Sequence, residues 1–112
     1  MLFVKRMEIY WVNLESRGNI QGGLRPCLVV CNNAACTYSP TVIVVPITTA
    51  NKKQLPTHMQ INLRKPSTAL FEQFITVNKE QIQEKITELP EHQHKEAEHK
   101  IKISLGLVPA YA

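Results

Sequence analysis

The 112 residues carry 13 Lys and Arg against 9 acids, a formal charge of +4 with neutral histidines, and 44% hydrophobic residues, which suits one domain with one modest core. All nine acids are glutamates, and without aspartate, the side chain most used to clamp magnesium in phosphoryl transfer, a two-metal nuclease is disfavoured. Residues 1–70 hold eight cations and two acids and residues 71–112 hold five and seven, so the first part is the better candidate for meeting a polyanion.

Glu8–Leu14 (EIYWVNL) alternates in part and is rich in aromatic and β-branched residues, predicting a half-buried first strand. Glu15–Gly23 follows with three glycines and polar residues; it is expected to be a long, mobile connection of the kind that carries binding residues. Arg25–Cys31 and Thr41–Ile47 are short apolar runs bounded by Gly, Pro, Asn and Ser, which predicts two well-buried strands. Between them, Asn32–Cys36 has room for one helical turn before Ser39-Pro40. Cys27, Cys31 and Cys36, odd in number and set in or beside an apolar run, are expected as buried reduced thiols rather than a disulfide.

Past Lys52-Lys53 and Pro56, His58–Ile61 predicts a short alternating strand, ending at a second cationic turn, Arg64-Lys65-Pro66. Thr68–Phe71 and Phe74–Val77 read as one or two more strands, and Ile82–Leu89 offers a last one. Pro90 suits the first turn of a helix running from Glu91 to about Leu105, with Ala97, Ile101 and Leu105 at helical spacing, Glu91 near its positive end and Lys100 and Lys102 near its negative end. Gly106 is placed to stop it. Close-spaced short strands and one terminal helix predict a mostly β, α+β fold: a small barrel with the helix packed across it, as a single domain over residues 1–112. No apolar run approaches the roughly 20 residues that span a bilayer, and a soluble, cytoplasmic protein is expected.

His92, His94 and His99 stand in the helical segment at offsets that match no zinc knuckle, and solvated histidines are the better reading. Nucleophile elbows, reactive-cysteine signatures and phosphate-cradling glycine loops are missing too. The features left over are the glycine loop, Arg25 after it, Thr48 at a strand end, Lys52-Lys53 and Glu72-Gln73, with His58 beside a basic loop where it could titrate near neutrality or touch phosphate. Taken singly, Arg25 reads as a salt-bridged strand-start arginine, Thr48 as a strand-end cap and His58 as a surface strand histidine.

The ordered set EIYWVNL, the Gly-rich loop, QGGLRPCLVV, SPTVIVVPIT, LPTH, TALFEQFITVNKEQI, KITEL and IKISLGL, from about Glu8 to Leu107, resembles the MazF/PemK/Kid family of toxin endoribonucleases. The resemblance implies an SH3-like β barrel with a C-terminal helix, of the CcdB/Kid/MazF type. It also implies a homodimer that cuts single-stranded RNA at short sequences without metal or other cofactor, silenced by an acidic, partly disordered MazE-like antitoxin. Metal-free cleavage uses the adjacent 2′-hydroxyl, leaves a 2′,3′-cyclic phosphate and a 5′-hydroxyl, and needs donors for the extra charge at phosphorus. The family's catalytic arginine, in its Arg-Pro step, matches Arg25, and its threonine, in the Pro-Ile-Thr step, matches Thr48. RNA contacts are implied for Arg17, Asn19, Gln21, Lys52, Lys53, His58 and Gln73.

Two departures stand out. Family members often carry Gly-Ser-Glu-Gln where this chain has Gly18-Asn-Ile-Gln21, so Ile20 replaces an acid and Glu72 becomes the candidate general base. The frequent Gln-x-Arg-Thr step is Gln73-Phe-Ile-Thr76, one cation fewer in the expected RNA groove. Ile20 favours a second reading, a non-catalytic or gyrase-directed toxin of the same barrel superfamily. A third, a small SH3-like peptide-binding domain, is disfavoured because the aromatic residues are scattered.

Overall fold

Alternation decides which face each strand buries. In the computed structural model, which describes residues 3–18, 20, 22–50 and 53–111, Glu8–Leu14 forms β1, turning Tyr10, Val12 and Leu14 to one side and Ile9 to the other. β2 (Gly23–Val29), β3 (Thr41–Thr48), β4 (His58–Asn62), β5 (Pro66–Leu70), β6 (Ile75–Asn78) and β7 (Ile82–Glu88) complete an antiparallel sheet in the order β4-β5-β3-β2-β1-β7, with β6 joined to β3. The sheet curls into a half-barrel, in line with the expected small barrel. α1 (Asn33–Tyr38) extends the expected single turn, and α2 (His94–Ser104) follows a short 3-10 turn that begins after Pro90.

The apolar side chains gather in two clusters rather than one, because β2 and β3 are buried on both faces. Tyr10, Val12, Cys27, Val29, Val44 and Val77 fill the half-barrel. Ile9, Leu28, Val45, Met59 and Phe71 pack with Leu89 and Ala97 beneath α2. β3 serves both: Thr41–Val44 pair with β6 and Ile47–Thr48 with β5. Pro46, which has no N–H to offer a ladder, stands where the partner changes. Gly106, at φ +73°, stops α2 with two reverse bonds, its own N–H to Ile103 O (3.0 Å) and that of Leu107 to Lys102 O (2.8 Å). No helix among the described residues is long and apolar enough to cross a membrane.

Two expectations are corrected. The connection after β1 is tied down: Arg17 and Ile20 exchange backbone hydrogen bonds (3.0 and 2.6 Å), and Ile20 packs on the half-barrel core. Gly22 donates to Ser16 Oγ at 3.1 Å, and a Cβ there would lie 2.5 Å from that oxygen, so only glycine allows the approach. Asn19 and Gln21 lie outside the described residues. The cysteines are not all reduced: Cys31 and Cys36 form a disulfide, and only Cys27 is a free thiol. The physical reason is local. The Asn32 side chain caps α1 by accepting from the Ala35 N–H (2.8 Å), and the resulting turn brings Cys36 within a Cα separation of 6.2 Å from Cys31, inside bridging reach.

The β1–β7 pairing, whose register shifts on either side of Tyr10, is fastened by one buried carboxylate. Glu8 accepts from the Lys5 N–H (2.6 Å), the Tyr10 hydroxyl (3.0 Å) and Lys85 Nζ (2.7 Å), and Lys85 also reaches Glu88 at 2.8 Å. Burial raises the Glu8 pKa, but the Lys85 hydrogen bond, with those from Lys5 and Tyr10, outweighs it and holds the group below its ordinary value. Burial, and then the bond to Glu8, pushes the Tyr10 hydroxyl up to about 12, and hydrogen bonds to Glu8 and Glu88 raise Lys85 above the usual lysine range.

A depressed carboxyl pKa contributes stability that is complete above the ordinary glutamate value of 4.5 and drains away as pH falls through the folded-state value. Glu8→Gln is therefore expected to cost about 1 kcal/mol at pH 7, a modest figure because Lys85 is partly solvated, and the gap to wild type should narrow in urea melts as pH drops below 4.5. Thiol titration checks the cysteine assignment: the native protein is expected to react at none of its cysteines, the unfolded protein at Cys27 alone, and the unfolded, reduced protein at all three.

Candidate active site

The β2–β3 register carries the site. Cys27 pairs with Pro46, Leu28 with Val45 and Val29 with Val44; the ladder ends there, and Arg25 and Thr48 each lie two residues past its last pair on their own strands. On their other sides Arg25 pairs with Val12 and Thr48 with Thr68. By the alternation of the pleat, Arg25 shares its face with Cys27 and Val29, at an end of the half-barrel core.

Arg25 is half-buried, and its Nε is buried with no hydrogen-bond partner among the described residues. A guanidinium with an unmet donor is suited to an anion. Thr48 Oγ accepts from the Ala50 N–H (3.0 Å), which leaves the hydroxyl proton free to donate outward. Cys27, two residues along, is no nucleophile: burial lifts its thiol to about 12.

Glu72 lies on neither β2 nor β3. It follows β5 in a turn closed by the Gln73 N–H on Leu70 O (3.1 Å), and its carboxylate meets Thr57 Oγ1 (3.0 Å) and His58 Nε2 (3.1 Å). His58 pairs with Leu70, two residues past Thr68, so this cluster stands one row along from Thr48. His58 is buried rather than at the surface, and its ring meets Glu72. Sequence reasoning missed Thr57; the signal available was the Leu-Pro-Thr-His run, where the threonine precedes the strand residue.

Arg17 pairs weakly with Glu15 (3.6 Å) in solvent, and Lys53 is exposed; Lys52, like Asn19 and Gln21, lies outside the described residues. Arg17 and Ile20 line a hollow of about 210 Å³ with Thr76, Asn78 and Gln81, so the β1–β2 connection and β6 share one surface. A larger hollow of about 710 Å³ opens on the face of the sheet that carries Ile9 and Leu28, where Trp11, Pro26, Leu63 and Ile86 meet Arg64 and Lys65. The sequence reading took those two cations only as a turn.

Comparison with known proteins agrees with this architecture. The family of PemK-like, MazF-like toxins of type II toxin-antitoxin systems matches over residues 5–105. Endoribonuclease MazF of Staphylococcus saprophyticus subsp. saprophyticus is 40% identical over 111 residues, covering 93% of this chain and 92% of that protein. Among solved structures, MazF from Deinococcus radiodurans superposes with a TM-score of 0.82 at 22% identity, covering 95% of this chain and 99% of the other. A mycobacterial endoribonuclease in complex with its cognate antitoxin gives 0.80 at 21%, covering 94% and 97%. The two structures speak for the fold; the family match and the staphylococcal relative span nearly the whole chain, and the chain belongs to the PemK-like, MazF-like toxins of type II toxin-antitoxin systems.

Proposed function

We propose that this MazF-type endoribonuclease toxin cuts single-stranded messenger RNA at a short sequence by attack of the 2′-hydroxyl on the adjacent phosphate, without a metal ion. The observation that carries the reading is the pair of donors with unmet capacity, Arg25 and Thr48, each two residues past the last β2–β3 pair. Arg25 directs its planar fork at the non-bridging oxygens, where charge grows as phosphorus takes its fifth ligand, and the Thr48 hydroxyl donates to the same group. Glu72 accepts the 2′-hydroxyl proton. The O2′–P bond forms as the P–O5′ bond breaks, and the departing oxygen takes a proton from water while the Arg25 guanidinium, which keeps its own protons, donates a hydrogen bond to it. The products are a 2′,3′-cyclic phosphate and a 5′-hydroxyl.

Arg17, Lys53 and Gln73, with Asn19, Gln21 and Lys52, extend the contact along the RNA. The same basic surface suits an acidic MazE-like antitoxin, a partner supported by the mycobacterial relative solved with its own antitoxin. The chain acts as one domain in the cytoplasm and pairs as a homodimer; exposed Trp11 and Leu24, on the face of the sheet opposite the half-barrel core, supply apolar surface for pairing.

Purified protein incubated with unstructured RNA in excess EDTA is expected to cut at one short motif and leave cyclic phosphate ends. Arg25→Ala and Thr48→Ala should each lose about 10²-fold or more in rate. A folded wild type that binds RNA and leaves it intact would instead favour the non-catalytic or gyrase-directed role to which Ile20, packed on the core in place of an acid, inclines.

A further inference from the structure

We infer that His58 is a positioning residue that fixes the Glu72 carboxylate as proton acceptor, an inference that rests on the ribonuclease reading above. The two side chains come from elements far apart in sequence, the start of β4 and the turn after β5, yet His58 Nε2 stands 3.1 Å from Glu72 Oε2 while Thr57 Oγ1 holds Oε1 at 3.0 Å. Each carboxylate oxygen thus has one donor and keeps a lone pair. The backbones beneath are stapled as well: the Phe71 N–H donates to Thr57 O (3.0 Å), the His58 N–H to Leu55 O (2.9 Å), and the Phe71 side chain is fully buried. The Glu72 side chain is about one-third exposed, 36%, and open to a substrate, whereas that of His58 is 5% exposed and closed to one.

The ring makes poor sense as packing. Donation from Nε2 places its proton there, and Nδ1 is then a buried acceptor with no partner among the described residues. An orphaned buried polar atom costs stability that an aliphatic side chain would not incur, so a histidine is worth keeping for what Nε2 does. Within salt-bridge distance of Glu72, His58 is the sole basic group among the described residues. Lys53 upstream is exposed, while His99, Lys100 and Tyr111 line a separate hollow with Leu55 and Pro56. The facing strands offer Thr48, Thr68 and Leu70, none of them charged.

The test compares wild type, Glu72→Gln, His58→Leu, His58→Gln and Thr57→Val in single-turnover cleavage across pH. Binding is measured in parallel on RNA carrying a 2′-deoxy nucleotide at the cleavage site. His58→Leu is expected to cut about tenfold to a hundredfold slower, to bind the blocked RNA within about threefold of wild type, and to need higher pH before its rate rises. His58→Gln, whose amide can return a donor near the Nε2 position, should recover most of the rate, and Thr57→Val should lose less than His58→Leu. If His58→Leu does not fold, the Gln and Val variants still decide. Wild-type rate and pH profile in the His58 variants beside a silent Glu72→Gln would overturn the positioning role and leave the base standing. Full activity in Glu72→Gln would overturn the base and the positioning role together, and an inert wild type would overturn the ribonuclease reading itself.

Discussion

A strand buried on both faces cannot slip by one residue without exchanging its two sets of side chains, and the β2–β3 pairing is held by that constraint. Cys27 and Val29 belong to the half-barrel core and Leu28 to the layer under α2, while Val44 and Val45 divide the same way on β3. Because neither core accepts the other's residues, the register is fixed with no help from the loops. Arg25 and Thr48 inherit their places from it, since both continue strands whose inward positions are already committed.

How much of this was legible in the sequence follows from how local each signal is. β1 was readable to the residue from Glu8 to Leu14, and Gly106 marked the end of α2, because pleat and helix stop are written in neighbouring residues. The anchored 15–22 connection was not, since the backbone bonds of Arg17 with Ile20 and the Gly22 approach to Ser16 depend on how the chain folds back on itself. Nor was the cysteine pair, which depends on the Asn32 cap turning α1. For the candidate site, Arg25 and Thr48 were proposed through resemblance; singly, each had an ordinary structural reading. The burial of His58 against Glu72 joins residues 14 apart through the β4–β5 pairing, and no residue pattern announces such a meeting.

The polar groups are distributed in keeping with this division. Glu8 is fully engaged by Lys5, Tyr10 and Lys85 on the β1–β7 side, where its task is to hold two strands whose register is irregular. The two buried side-chain atoms without partners among the described residues, Arg25 Nε and His58 Nδ1, belong to the candidate site. One region satisfies its charge internally while the other keeps unspent capacity on rigid strands, which suits groups that must meet an anion without rearranging.

The exchange of partners along β3 also governs when the molecule can be completed during synthesis. Its first half needs Ile75–Asn78 and its last two residues need Thr68 and Ala69, so β3, though β2 is already beside it, lacks its full set of partners until the chain as far as Asn78 has been made, and β1 waits longer still for β7. Pairings of such long sequence separation form late. A nascent chain therefore lacks the β5 partner of Thr48 and the His58–Glu72 pair until residues 68–72 have been made.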